Sequence, residues 1–260
     1  MIRSLACLLT LGALALGAST SAADRDDAVH VDAARLDAAR ATTALTAGTV
    51  VSTRGLLSRL HGAAPKLNRD VLAMALDARA CALRSGAVAQ AARLAVIDYS
   101  KPSTEPRMWV FDLERERLLY AEHVAHGRGS GENFARAFSN RDGSYQSSLG
   151  LFTTADTYIG GNGYSLRMDG LEPGFNDRAR GRAIVMHGAP YVDPLQALRQ
   201  GRLGRSLGCP ALRPEVAREV IDTIKDGQLL FAYYPDPEWL ARSRFLRCGE
   251  RAAASSRAMH

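Results

Sequence analysis

Two short segments carry the residue types of nucleophilic catalysis. The run AIVMHGA contains His187-Gly188, and GRSLGCPALR contains Ser206-Leu207-Gly208-Cys209-Pro210. A strand ending in His-Gly delivers an imidazole to a sheet rim where the next residue needs no side-chain room. Gly208 makes the second segment a sharp turn and Pro210 stiffens it. Such a turn can aim the Cys209 thiol outward and leave the amides of Gly208 and Cys209 to hold a developing oxyanion. An ordinary thiol with a pKa near 8.5 is only about 3% thiolate at pH 7, so a nucleophilic cysteine needs an adjacent base or cation. His187 is the candidate base. Taken singly, each residue also fits a plainer role, Cys209 as a small buried side chain or half of a disulfide, and His187 as a structural imidazole.

The elements that must position these residues follow a leader. Arg3, an apolar run from Leu5 to about Gly17 and small residues up to Ala22 or Ala23 form the pattern of a secretory signal peptide over 1–23. The expected location is therefore across the inner membrane, in the periplasm or cell envelope. Cys7 lies at the front of the apolar run, the wrong place for lipid attachment. No later stretch stays apolar for about 18 residues, so no transmembrane segment is expected. The net charge of +6 suits an anionic envelope polymer, but the arginines are scattered, which fits an unspecialised basic surface equally well. No nucleic-acid partner is expected, and nothing specifies an oligomeric state.

Residues 24–95 read as a helical N-terminal extension, clearest over Leu67–Arg84, with Asn68 as cap and Gly86 as stop. Leu72, Leu76 and Leu83 fall on one stripe, and Met74, Ala78 and Cys81 on the next. Residues 28–55 are poor in large apolar side chains and read as a flexible or partly helical lead-in. From 96 to 236 the texture is β. Met108–Leu113 and Leu118–Val124 flank a polar turn as a hairpin, and further short strands are expected at Leu149–Thr154, Tyr164–Met168, Ala183–His187 and Gln228–Tyr234. One later helix begins at Pro214 and ends at Gly227. Residues 237–260 read as a tail, Arg- and Ala-rich after Trp239 and frayed at its end.

Other chemistry is weaker. His123 and His126 are three apart on an expected strand and should point to opposite faces, so no metal is predicted. His126, beside Gly127, is a candidate lining residue of the cleft. GRGSG (Gly127–Gly131) lacks the lysine and flanking pattern of a phosphate-binding loop, so no nucleotide or other cofactor is expected; it reads as a mobile rim. Tyr145, Tyr158 and Tyr164 read either as core or as stacking surfaces.

His187-Gly188 with Ser206-Leu207-Gly208-Cys209 and Arg213 resembles the motif of the L,D-transpeptidase (YkuD) catalytic domain. SSLGLFTT (Ser147–Thr154) is similar to that family's Thr-Pro-x-Gly-x-Phe strand. Leu207 replaces the histidine that many members carry, and Pro210-Ala211 replaces the usual exit, as in a divergent branch. The resemblance, over about 100–236, implies a mainly-β, β-sandwich-like catalytic domain with one C-terminal helix, behind a helical N-terminal segment. It implies a Cys209 thiolate that attacks the diaminopimelate–D-Ala bond of peptidoglycan stem peptides and passes the acyl group to another stem as a 3-3 crosslink. By the same resemblance His187 carries the proton, the Gly188 carbonyl orients its ring, and the Gly208 and Cys209 amides bind the oxyanion. Ser206 and His126 join Arg213 as substrate-binding candidates, Arg213 holding a carboxylate or bracing the loop. Water as acceptor would make the enzyme a carboxypeptidase or amidase-like peptidase; the alternative is a noncatalytic wall-binding module with Cys209 in a disulfide.

The mature chain keeps Cys81, Cys209 and Cys248, an odd number in an oxidising compartment. If Cys209 is the nucleophile, exclusion pairs Cys81 with Cys248. Otherwise Cys81 packs inside its helix and Cys248 lies in the tail.

Overall fold

The computed structural model describes residues 54–248. The expected leader over 1–23, nearly all of the 28–55 lead-in and the end of the tail lie outside them. Residues 54–63 form helix α1, and α2 follows at Arg69–Arg84. The Asn68 side chain accepts from the N–H groups of Asp70 and Val71, filling two donors that a first helical turn leaves open. Leu72, Leu76, Ala78 and Cys81 lie on the buried face, while Met74 and Leu83 are half-buried at its margin.

The remainder is mainly β, as expected. Its strands are β1 (Arg93–Asp98), β2 (Met108–Asp112), β3 (Arg117–Glu122), β4 (Gly150–Gly160), β5 (Gly163–Gly170), β6 (Val185–Gly188), β7 (Ala211–Leu212) and β8 (Leu229–Tyr233). They form one mixed sheet in the order β3-β2-β1-β8-β4-β5-β6-β7. Strand β1 is interior, antiparallel to β2 and parallel to β8, and is buried almost throughout, in keeping with its apolar run LAVI. No strand was expected before Met108, and β1 lies across the change of texture placed at 96. The hairpin forms from β2 and β3, but β3 ends at Glu122, so His123 and His126 are in the following loop, where strand alternation does not set their directions.

Helix α4 (Pro214–Ile224) starts at proline as expected and buries Ala217, Val220, Ile221 and Ile224. Two further helices, α3 (Pro194–Gln200) and α5 (Pro237–Arg242), were not expected. Each opens with an aspartate cap and a proline, Asp193-Pro194 and Asp236-Pro237, a valid start signal on a segment too short to show an apolar period. The described part of the tail is packed, and its end, where fraying was expected, lies outside the described residues. Trp239 is buried and donates its indole N–H to Glu172 at 3.0 Å, and Phe245 is buried.

Cys81 and Cys248 form a disulfide with Cα atoms 5.9 Å apart, tying α2 to the segment after α5 across 167 residues. Chain entropy alone assigns such a loop about 5 kcal/mol, an upper figure because engineered bridges often deliver less.

Candidate active site

Strand β6 lies between β5 and β7, with His187 opposite Ser165 on one side and Ala211 on the other. Cys209 immediately precedes the β7 side of that register, two residues before Ala211. Its sulfur meets the start of β6, where the Val185 N–H donates to it at 3.4 Å and the thiol faces the Ala183 carbonyl at 3.6 Å. Cys209 is the free cysteine among the described residues. It is 7% exposed, so the thiol is buried at rest and does not face solvent as the turn alone suggested. Burial pushes its pKa above the ordinary thiol value, against the pull of the Val185 N–H and the Arg182 guanidinium.

His187 is also buried, and burial lowers its pKa from the ordinary 6.5. Its Nδ1 lies 2.9 Å from the Gly188 carbonyl. A carbonyl only accepts, so Nδ1 carries the proton and Nε2 of the neutral ring keeps its lone pair. Gly188 has a second role in packing, since a Cβ there would stand 3.0 Å from Ala217 Cβ and 3.3 Å from Pro214 Cα, where β6 meets α4.

The turn before Cys209 is built from inside. Gly208 has φ of +127°, and a Cβ there would strike Ile184 and the Gln146 carbonyl. The Ser206 hydroxyl donates to the Cys209 carbonyl at 2.6 Å and accepts from the Gly208 N–H at 3.1 Å. Two expectations change as a result. Ser206 holds the turn, its hydroxyl being used on both sides, and the Gly208 amide is occupied by Ser206 instead of standing open to an oxyanion.

Arg213 stands at the N-cap position of α4 without a capping side-chain hydrogen bond, and forms a two-pronged ion pair with Glu122 at 2.8–3.1 Å. Of its two expected roles this ion pair is the brace, made through Nε and Nη2, with the side chain 30% exposed. His126 does not line the cleft. It is fully buried, accepts from Arg107 at Nδ1 (2.7 Å) and donates from Nε2 to the Gly131 carbonyl (3.2 Å). Desolvation, with Arg107 beside it, lowers its pKa to about 3, so it is neutral.

The glycine loop expected to be a mobile rim is instead pinned. Gly127 N–H donates to Ser147 Oγ, Arg128 N–H to the Ser206 carbonyl, and Gly129 N–H to the Tyr145 carbonyl. Ser147, which the sequence did not single out, also donates to the Gly208 carbonyl at 3.1 Å and so links this loop to the turn. The faces of Tyr145, Tyr158 and Tyr164 are covered by Arg128, Arg167 and Arg218, with guanidinium carbons 4.1–4.2 Å from the ring centres. Among the described residues no cluster of His, Cys, Asp or Glu is arranged to hold a metal.

Residues 63–233 match the family model of the L,D-transpeptidase catalytic domain, a span that contains β6, the Cys209 turn and α4. The chain belongs to this family. Similar solved structures include an L,D-transpeptidase from Mycobacterium smegmatis, 15% identical with a TM-score of 0.36, covering 55% of this chain and 59% of that one. An L,D-transpeptidase from Xylanimonas cellulosilytica is 16% identical with a TM-score of 0.33, covering 55% and 61%. The helical cell shape determining protein from Campylobacter jejuni is 14% identical with a TM-score of 0.36, covering 56% and 48%. The match thus spans less than two thirds of each of those chains. No curated protein matches.

Proposed function

We propose that this member of the L,D-transpeptidase catalytic domain family is an exported cysteine transpeptidase of peptidoglycan, with Cys209 as nucleophile and His187 as base. The observation that carries the reading is the free thiol of Cys209, hydrogen-bonded to the strand that bears His187, whose Nδ1 is committed to Gly188. The Cys81–Cys248 bridge favours an oxidising compartment, and so does the leader-like N-terminus.

In this reading Nε2 of His187 takes the Cys209 proton, and the thiolate attacks the carbonyl carbon between diaminopimelate and D-Ala of a tetrapeptide stem. The C–N bond breaks and D-Ala leaves as the amine, carrying the proton from His187, while Cys209 keeps the acyl group as a thioester. An amine of a second stem then attacks the thioester, gives its proton to His187 and regenerates the thiol, forming a 3-3 crosslink. The Cys209 amide is the turn donor left for the oxyanion, since Ser206 occupies that of Gly208.

The test is mass spectrometry of the folded, unreduced protein after incubation with a carbapenem, an acylating reagent, followed by muropeptide analysis with purified sacculi. One adduct on Cys209, with crosslinked dimers as product, is the expected result. Labelling elsewhere, or crosslinking retained in Cys209→Ser, refutes the proposal, and release of D-Ala without dimers identifies a carboxypeptidase instead.

A further inference from the structure

Arg182 is a half-buried arginine whose hydrogen bonds all end on neutral oxygens. Nη1 donates to the Ser139 carbonyl and the Ser148 hydroxyl, both at 2.6 Å. Nη2 donates to the Ser144 hydroxyl at 3.1 Å and the Gln146 carbonyl at 2.8 Å. Other arginines of this region discharge onto carboxylates, Arg180 onto Asp169 and Arg205 onto Glu132. Asp142 acts on Arg182 through space, opposed by Arg178. Four neutral acceptors fix the guanidinium plane without cancelling its charge, and the cost of withdrawing that charge from water is only partly recovered.

Both attachments of Arg182 lead to Cys209. Along the chain the next residue is Ala183, held at a φ of +54°, a conformation that an L side chain adopts at a cost of about 1–3 kcal/mol. Its carbonyl faces the sulfur. Across space, the Gln146 carbonyl that Arg182 grips lies 2.9 Å from where a Cβ on Gly208 would stand, and the neighbouring Ser147 bonds the Gly208 carbonyl. Arg182 therefore joins the two walls that enclose the nucleophile turn, and it brings a permanent positive charge to their junction.

We propose that Arg182 is a positioning residue for Cys209: its guanidinium, fixed by Ser139, Ser144, Gln146 and Ser148, stabilises the thiolate and holds the walls around it. This rests on the reading of Cys209 as the nucleophile. The other titratable groups invoked around Cys209 cannot take this part. Tyr99 and Tyr191 have phenols pushed up to about 12 and stay neutral, and His187, with its lowered pKa, is uncharged near pH 7. His187 accepts the proton, whereas Arg182 supplies the standing charge that lets it leave.

The experiment measures alkylation of Cys209 by iodoacetamide against pH in the folded, disulfide-intact full chain, with a thermal melt of each variant. Arg182→Gln should move the midpoint of thiolate formation upward by about one pH unit, so that alkylation at a fixed pH below the midpoint slows about tenfold. Arg182→Lys keeps the charge and loses the fork; it should return most of the midpoint but not the melting temperature. A purely structural role predicts the reverse, lower melting with an unmoved midpoint in Arg182→Gln, and overturns the proposal. If Arg182→Gln does not fold, the lysine variant decides: a midpoint near wild type supports the charge, and an upward shift of about a unit refutes it. A wild-type Cys209 that takes no carbapenem adduct while the Arg182 shift is still seen would sink the proposed function and leave Arg182 as a thiolate stabiliser.

Discussion

Gly127 and Gly208 meet backbone to backbone. A Cβ on Gly127 would stand 2.8 Å from the Gly208 Cα, 2.9 Å from its nitrogen and 2.3 Å from the Tyr145 carbonyl oxygen. The first residue of the glycine loop is thus the floor beneath the turn that presents Cys209. Its φ is not positive, so alanine there would suffer from contact alone.

Gly127→Ala should therefore displace the turn while leaving the sheet intact. Overpacking of this kind costs about 1–3 kcal/mol, and a shift of about 1 Å at a reacting group can cost on the order of 100-fold in turnover. Turnover should fall far more than the melting temperature does, which enzyme assay and calorimetry of the same preparation will show. An active variant with Cys209 alkylated at the wild-type rate would mean that the loop does not set the turn.

The pH profile of kcat/KM should be a broad plateau. The productive state needs His187 unprotonated and the Cys209 proton still within the pair, so activity falls as pH drops through the His187 pKa and again as pH rises through that of Cys209. Burial moves the first below the ordinary imidazole value and the second above the ordinary thiol value, which widens the plateau at both ends. His187→Gln should reduce kcat/KM by about 100- to 10,000-fold and abolish the acid limb. An acid limb that survives this substitution would belong to another group.

How much of this was legible in the sequence depended on how local each signal was. The Asn68 cap, the Pro214 start and six of the eight strands are written in neighbouring residues, and so is the His187-Gly188 pair, whereas β1 and the two-residue β7 were not expected. The partners of the site residues are not. Arg213 finds Glu122 91 positions away, and Arg182 finds its acceptors 34 to 43 positions upstream, in a segment with no regular period. Ser206 bonds within its own turn, yet only the folded geometry reveals that its hydroxyl is used twice. The depth of Cys209 is not written locally either, because a Gly-Cys-Pro turn reads alike whether or not other loops close over it.

Arg213 and Glu122 should behave as a coupled structural pair. The side chains are 30% and 13% exposed, so screening by solvent is incomplete and the fork geometry is favourable. Arg213→Gln and Glu122→Gln should each destabilise by about 1–3 kcal/mol, the double variant by less than the sum, with little change in KM. Additive losses, or a KM raised many-fold by Arg213→Gln alone, would restore the arginine to substrate binding. Urea melts and steady-state kinetics on the four proteins of the cycle separate these results.

His126 should make the fold sensitive to acid in a defined window. Its native pKa is lowered to about 3, whereas in the unfolded chain it returns to the ordinary 6.5. Below pH 6.5 the unfolded state therefore binds a proton that the native state refuses. Stability is full above that pH and drains away as pH falls toward 3, at about 1.4 kcal/mol per pH unit for this one proton. His187 and His123, also lowered by burial, act in the same direction over narrower ranges. His126→Gln can still accept from Arg107 and donate to the Gly131 carbonyl, so it removes the titration and keeps the hydrogen-bonding pattern. Urea unfolding between pH 7 and 4 should then show a shallower loss of stability in the variant, by close to one proton. Equal slopes would mean that the ring is already protonated in the native state, and that Arg107 lies farther from it than 2.7 Å in solution.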